Sequence, residues 1–418
     1  MPMVPLLAAD HSPSIEVQAT APGPATDLDP ATGSARAPDA ARAAQQPLIR
    51  RLQLQAFRNF TALDLRFAAS TAPIVLYGPN GAGKTNLLEA LSLLAPGRGL
   101  RRARLDSLDR DGDPVRPFRL EAELDTADGP VDLATGRDPA AERRWLEIMG
   151  ESRRGLAPLA ELVAIAWLTP AMDRLFLDAA SERRRFLDRL VLAVYPDHAR
   201  QLAIFERAMR ERSLLLRQGR HDPAWLRVLE ERMAAAGVAV AAGRLELVAG
   251  LNTLLAEPDP TLPVMCLELS GAVEGWLAEV AAIDAEERLI AALAASRVAD
   301  AETGGAAVGP QRSDLSARDL GTGEDAPRVS TGRQKAMLLA IILAEARLRR
   351  RVHGDLPVLL LDETMAHLDP ARRDGLAERL LALGGQVFLT GTERRLFAAL
   401  EGRGQFLHVD QGTILDHE

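Results

Sequence analysis

Gly78-Pro79-Asn80-Gly81-Ala82-Gly83-Lys84-Thr85 decides the fold. It follows a short, wholly apolar run, Ile74–Tyr77, and opens a helical pattern over 84–94 that Pro96 and Gly97 end. A continuous apolar run of this length reads as a buried central strand, so the order is strand, glycine loop, helix. The loop matches G-x-x-x-x-G-K-[ST]. Its glycines let the backbone turn with positive φ and approach a ligand closely. Successive N–H groups then face one concavity, and the following helix adds its positive N-terminus. The pattern predicts that residues Gly78, Pro79, Asn80, Gly81, Ala82, Gly83, Lys84 and Thr85 hold ATP. Lys84 reaches the β- and γ-phosphates, and Thr85 places a hydroxyl on Mg²⁺. Of the chain's 50 basic residues, only Lys84 and Lys335 are lysine. A compact ammonium suits such a loop and a guanidinium does not.

Three further motifs lie far downstream. Val358-Leu359-Leu360-Leu361 reads as a second buried strand and ends in Asp362-Glu363. An acid at the C-terminal end of such a strand can meet Mg²⁺ beside the phosphate loop, which makes Asp362 the expected metal partner with Thr85. Glu363 is the expected general base for the attacking water. Ser330-Thr331-Gly332-Arg333-Gln334 opens a long helical pattern over 331–352, with Ser330 as a candidate N-cap. Ser330, Gly332 and Gln334 at a helix N-terminus form a second anion site. One γ-phosphate seldom needs two such sites in one chain, so this one is expected to complete the pocket of another subunit. Asp369, before Pro370, is a further candidate and also a helix cap.

Outward from these motifs the chain is ordinary in composition. It has 418 residues, 47% hydrophobic and 26% charged, with 4% aromatics, which argues against a surface built for base stacking. The net charge of −8 does not advertise nucleic-acid binding, so any DNA contact must use a local patch. No uninterrupted apolar run approaches the ~18 residues of a membrane span. The start, MPMVPLLAAD, lacks the basic region of a signal peptide. A single cysteine, Cys266, excludes an internal disulfide and cysteine zinc sites, and the default compartment is a reducing cytoplasm.

Residues 1–47 are rich in Ala and Pro without periodicity and are expected to be a disordered extension. Residues 48–171 read as the first part of an ATPase lobe, with strands near 48–57, 63–67, 118–124 and 130–134. Residues 172–300 read as a helical lobe with helices over 181–195, 197–217, 224–255 and 272–295. Residues 301–418 return to α/β and complete the ATPase lobe, closing in a hairpin with Gln411-Gly412 at its turn.

GPNGAGKT, then STGRQ, then LLLDET with HLD, in that order, resembles the ABC-type ATPases: Walker A, signature, Walker B and D-loop. The wide separation of Lys84 from Asp362 resembles the chromosome-maintenance branch, and the gap has no sustained heptads for a long coiled coil. LQAFRNF (54–60), NLLEAL, the segment 97–102, RRRFL (183–187) and GPQRSDL (309–315) are similar to the RecF family over roughly 48–418. Gln311 and Ser313 stand where that family usually has His and Asp, and Arg333 where it usually has Gln or Gly.

The resemblance implies an α/β ABC-type ATPase head split in sequence, with an inserted α-helical lobe. It implies a slow DNA-dependent ATPase using ATP and Mg²⁺, and an ATP-dependent homodimer that clamps gapped or single-strand/double-strand junction DNA. It also implies RecR- and RecO-like partners, recombinase loading, a part in the SOS response, a cytoplasmic place and no membrane partner. Arg98, Arg101, Arg102 and Arg104, beside glycines after the first ATPase helix, are the favoured DNA contacts; Arg183–Arg185 and Arg347–Arg351 are lesser ones. Backbone contacts of this kind carry no base sequence information. Two other readings stay open: the ATPase subunit of an ABC transporter, and an ATP-gated scaffold with negligible turnover.

Overall fold

A computed structural model of the chain describes residues 46–68, 70–110, 116–219, 222–366 and 368–416. The chain divides into units Met1–Pro38 and Asp39–Glu418, and every described residue falls in the second. The expectation for 1–47 therefore lies, but for Gln46 and Pro47, outside the described residues, as does His367 of the HLD motif.

The described strands are β1 (Leu48–Phe57), β2 (Phe60–Arg66), β3 (Ile74–Tyr77), β4 (Arg119–Thr126), β5 (Gly129–Asp138), β6 (Arg143–Ile148), β7 (Glu151–Arg153), β8 (Ile165–Leu168), β9 (Met265–Ser270), β10 (Asp314–Asp319), β11 (Val358–Leu361), β12 (Val387–Gly391), β13 (Gln405–Asp410) and β14 (Thr413–Asp416). One sheet has the order β14-β13-β3-β12-β11-β8 and is parallel except for the β13–β14 hairpin. Its strands β3 and β11 are apolar throughout, and β12 is apolar up to Thr390, because both faces are covered. Ile74, Leu76, Val358 and Leu360 face one hydrophobic cluster, while Val75, Leu359 and Leu361 face the other.

The first cluster is closed by an antiparallel sheet, β2-β1-β4-β5-β6-β7. Alternate residues of that sheet (Leu52, Leu54, Leu120, Leu124) turn inward and meet Leu87, Leu88 and Leu91 of the helix Lys84–Ser92. Gln386, buried just before β12, ties the two sheets together: its Oε1 accepts from the Ile49 N–H at 2.8 Å and its Nε2 donates to the Ile49 carbonyl at 2.9 Å. These bonds fall where the β1–β4 register shifts, between Ile49 and Arg51.

The second cluster receives the helices Ala180–Val194, Pro223–Leu255 and Thr331–His353. A third, around Phe205, Met233, Leu289 and Leu293, forms the core of the helical segment. Pro223–Leu255 begins with Asp222 accepting from the N–H groups of Ala224 and Trp225, and with Pro223 in the first turn. Among the described residues this is the one helix long and apolar enough to cross a membrane, but 56% of its most apolar window is buried inside the protein. Its hydropathy comes from a run of Ala, Gly and Val that packs closely against its neighbours.

The structure corrects several sequence expectations. The pattern over 272–295 is two helices, Ala272–Glu279 and Ala282–Ala295, with Val280 extended between them. Val280 packs against the third cluster, and this tertiary contact overrides the helical preference of the alanines around it. The strands β8, β9 and β10 and the helix Arg297–Thr303 have no counterpart in the sequence reading. β8 is the edge of the parallel sheet, and β9 and β10 form a separate antiparallel pair.

Candidate nucleotide-binding site

The phosphate loop leaves the C-terminal end of β3, and Asp362 follows β11; β12 lies between them. This places the ends of three parallel strands at one edge, where such sheets bind ligands. Gly78 and Gly83 adopt φ of 151° and 115°. A Cβ on Gly78 would fall 2.0 Å from the Val409 carbonyl oxygen, and one on Gly83 2.5 Å from the Asn59 amide. Neither position can take a side chain without moving backbone or the β1–β2 turn.

Lys84 is buried, and its Nζ donates to the carbonyls of Gly78 (2.7 Å) and Pro79 (2.8 Å), so the ammonium lies across the loop's own concavity. Burial pushes its pKa down, while Glu363 and Asp362 pull it up. The Thr85 hydroxyl donates to Asp362 Oδ1 at 3.1 Å, and the Thr390 hydroxyl donates to the same oxygen at 2.6 Å. Burial pushes the Asp362 carboxyl up, and the two hydroxyls oppose it. The Thr390 hydroxyl also accepts from the Glu363 N–H at 2.9 Å, so one β12 side chain aligns both acids. Glu363 takes a left-handed backbone, φ 50°.

A hydroxyl and a carboxylate beside a buried ammonium fit Mg²⁺ held jointly with phosphate. Magnesium is usually bound by one or two carboxylates plus phosphate oxygens rather than by an all-protein cage. Among the described residues no cluster of three or more His, Cys, Asp or Glu forms such a cage.

The β1–β2 turn braces the loop. Asn59 Nδ2 donates to the Ala82 carbonyl at 3.0 Å, and Asn86 Nδ2 donates to Asn59 Oδ1 at 2.7 Å. The Gly412 N–H, from the β13–β14 turn, reaches the same Ala82 carbonyl at 3.0 Å. Beneath them Glu89 is fully buried and takes two bonds from Arg58, at 2.8 and 2.9 Å. None of Asn59, Asn86, Glu89 or Gly412 has a site role in the sequence reading: the quoted LQAFRNF and NLLEAL stretches contain the first three, and Gly412 is placed only at a hairpin turn.

Ser330 caps the helix Thr331–His353, accepting from the Arg333 N–H at 3.3 Å. Arg333 is turned away onto buried Asp319, which its guanidinium holds below the usual carboxylate range. Gln334 is buried and donates to the Val329 carbonyl. A Cβ on Gly332 would meet open space. Among the described residues no hydrogen bond or ion pair joins 330–334 to the phosphate loop of the same chain. Asp369 caps the helix Pro370–Leu383 through the Arg372 N–H and pairs with that residue's guanidinium at 3.4 Å.

The arginine segment after the first ATPase helix is divided. Buried Arg144 anchors it, donating to the Leu93 carbonyl at the helix end and to the Gly97 carbonyl at 3.2 Å. Arg101 binds Asn86 Oδ1 (2.6 Å) and Glu89 (3.2 Å), and Arg104 pairs with Asp106 at 3.0 Å. Arg98 and Arg102 are exposed and make no ion pair among the described residues. The lesser patches are largely committed: Arg183 to Asp314 (2.7 Å), Arg184 to the Ser313 carbonyl (2.7 Å), Arg347 and Arg351 to Glu257, and Arg349 to Asp355 (2.7 Å).

Comparison with known proteins decides the family. DNA replication and repair protein RecF of Allorhizobium ampelinum is 47% identical over 377 residues, spanning 89% of this chain and 99% of that protein. The chain belongs to the RecF family. RecF of Rhizobium johnstonii is 45% identical over 370 residues, with 88% and 98% covered. A model described as AAA domain, putative AbiEii toxin, Type IV TA system matches residues 74–147. The solved structure of the recombination mediator protein RecF-ATPrS in the RecFOR pathway superposes with a TM-score of 0.78 at 21% identity, covering 89% of this chain and 99% of that one. This RecF-family member is thus a RecF-like DNA replication and repair protein with an ABC-type P-loop ATPase fold and, among the described residues, no long coiled coil. The transporter reading falls with that assignment.

Proposed function

We propose that this RecF-family protein is a slow, DNA-dependent ATPase that closes as an ATP-bound homodimer on gapped or single-strand/double-strand junction DNA. The observation that carries this reading is the constellation of Lys84, Thr85, Asp362, Thr390 and Glu363 at one sheet edge. Residues 78–85 cradle the triphosphate, with Thr85 and Asp362 at the place for Mg²⁺, which when bound would neutralise developing phosphate charge. Glu363 takes the proton of the attacking water. Ser330 and Gly332, which make no bond to their own phosphate loop among the described residues, face a partner's γ-phosphate, with buried Gln334 behind them on the Val329 carbonyl, and Asp369 lies beside that interface. Arg98 and Arg102 contact DNA phosphates, with Arg101 and Arg104 shaping the segment. By family, the product of this clamp is recombinase loading with RecO- and RecR-like proteins in the cytoplasm, feeding recombinational repair and the SOS response. The domain division is 48–171 and 301–418 for the ATPase lobe and 172–300 for the helical lobe.

The test is mass measurement by size exclusion with ADP, with ATP, and with ATP plus gapped DNA. A doubled mass with ATP but not ADP, reinforced by gapped DNA, is expected. A monomer under all three conditions contradicts the clamp. A turnover assay with and without DNA separates the ATPase from a non-hydrolysing scaffold.

A further inference from the structure

The chain's two lysines meet at one site. Arginine fills the other 48 basic positions, so the composition favours guanidinium wherever one is tolerated. Lys84 lies in the phosphate loop. Lys335 is 5% exposed, and its Nζ donates to the main-chain carbonyl of Glu363 at 3.0 Å, with Asp173 as its ionic partner at 3.8 Å. The bond joins two motifs, because Lys335 follows Gln334 directly and opens the second turn of the signature helix.

Both main-chain polar groups of Glu363 are therefore held from outside its own segment. Its N–H goes to the Thr390 hydroxyl, and its carbonyl takes the Lys335 ammonium at 3.0 Å beside the longer bond from the Ala366 N–H of its own segment at 3.3 Å. The backbone so pinned is left-handed, a conformation that a non-glycine residue keeps only when its surroundings over-determine it. The Glu363 carboxylate remains near enough to Lys84 to support that residue's charge.

We propose that Lys335 is a positioning residue: from the signature helix it holds the backbone of Glu363 so that the base faces the phosphate loop of its own chain. This rests on the shared-site reading above and deepens it. The signature of one protomer serves the partner's nucleotide, whereas Lys335, one turn further on, serves its own. A partner γ-phosphate docking at Ser330 and Gly332 shifts the helix start, and Lys335 carries that shift to the base in cis, linking the two composite sites. A buried ion pair that only stabilised the fold would have no preference between the two sites.

Mixed dimers decide it. One chain carries Lys84→Ala and donates only a signature; the other carries Ser330→Arg and donates only a phosphate loop with its Glu363. Their mixture has one working site. Lys335→Met added to the loop-donating chain is expected to lower turnover ~10- to 100-fold, the cost of a misplaced group, while ATP affinity stays within about twofold. Added to the signature-donating chain, it is expected to leave that site's turnover within about twofold. Loss that follows the signature-donating chain, or equal loss in both arms, overturns the proposal. A mixture that is inactive before Lys335 is changed condemns the shared site instead. Lys335→Met in the homomeric protein then decides the positioning role alone: reduced kcat at unchanged KM supports it and unchanged kcat overturns it. If Lys335→Met does not fold, Lys335→Gln, which keeps a donor but loses reach and charge, takes its place in every arm.

Discussion

Asp362 must be ionised to serve a cation, yet burial pushes its carboxyl up. Two hydroxyl donors, Thr85 and Thr390, hold it down by bonding to its charged form. On acidification the proton wins, so Mg²⁺-dependent ATP binding is expected to weaken as pH falls toward the raised pKa. Thr390→Val removes one donor and should move that loss to higher pH. Titrating a fluorescent ATP analogue with Mg²⁺ across pH in both proteins checks this, and coincident profiles would remove Thr390 from the account. Glu363 has a separate task. Glu363→Gln keeps the shape and the main-chain bonds to Thr390 and Lys335 but loses the base. It should bind ATP normally and turn over ~10²- to 10⁴-fold more slowly, accumulating ATP-bound dimers; parental turnover would show that the base lies elsewhere. The placement of Asp362 and Glu363 beside the phosphate loop was legible because strand-end acids and a glycine loop have their pattern in local sequence. Thr390 and Lys335 were not. A threonine closing a strand and a lysine inside a helix have no pattern of their own, and their partners lie 28 residues away in sequence.

The helix Thr331–His353 was readable from its ends, with Ser330 as cap and Gly354 in the left-handed region after the last turn. Its interior holds a feature the pattern hid. Glu345 is fully buried, and neither carboxylate oxygen meets a hydrogen-bond donor among the described residues. Burial pushes its pKa up to about 8, against the opposing pull of Arg349 and Arg189. The folded state then binds one more proton than the unfolded chain between the ordinary value of 4.5 and about 8. Stability is highest below that window, falls as pH rises through it, and is level above. Glu345→Gln cannot ionise, so it should raise stability by about 1–3 kcal/mol at the top of the window and flatten the dependence. Urea unfolding at several pH values measures this; parallel curves for the two proteins would contradict it. Elements were hardest to read where tertiary contacts decide. β8 is four residues, too short for periodicity to tell strand from helix. The break at Val280 is set by packing against the lobe, with no glycine or proline at the break itself.

For the whole molecule, the ATPase architecture was legible because its motifs occur in order across the chain, although one sheet is assembled from β3, β8, β11, β12, β13 and β14. The way the two sheets lock together was not, since it depends on long-range ties such as buried Gln386 meeting β1 from 337 residues away and Gln405 of β13 meeting the Arg66 carbonyl of β2. The expected assembly follows from what a single chain leaves unused. The phosphate loop surrounds a triphosphate from one side. Ser330 and Gly332 stand at the start of a long helix, where backbone donors and the helix dipole favour an anion. Arg333, the charged residue between Gly332 and Gln334, is turned onto Asp319 and leaves that helix start clear. A two-fold arrangement in which each signature meets the other chain's nucleotide satisfies both halves with one contact repeated. Ser330→Arg places a long cation where the phosphate enters. It also removes the hydroxyl that accepts from the Arg333 N–H, a cap worth about 1 kcal/mol that an intact fold can lose. The variant should therefore bind ATP as a monomer, with a normal ligand-induced thermal shift, yet stay at monomer mass when ATP is added. ADP lacks the γ-phosphate and should support the parent dimer poorly. Mixing Ser330→Arg with Lys84→Ala leaves one intact loop opposite one intact signature, so ATP should restore dimers and part of the turnover that neither protein shows alone. Full turnover by monomeric Ser330→Arg would place the whole active site within one chain and refute the shared arrangement.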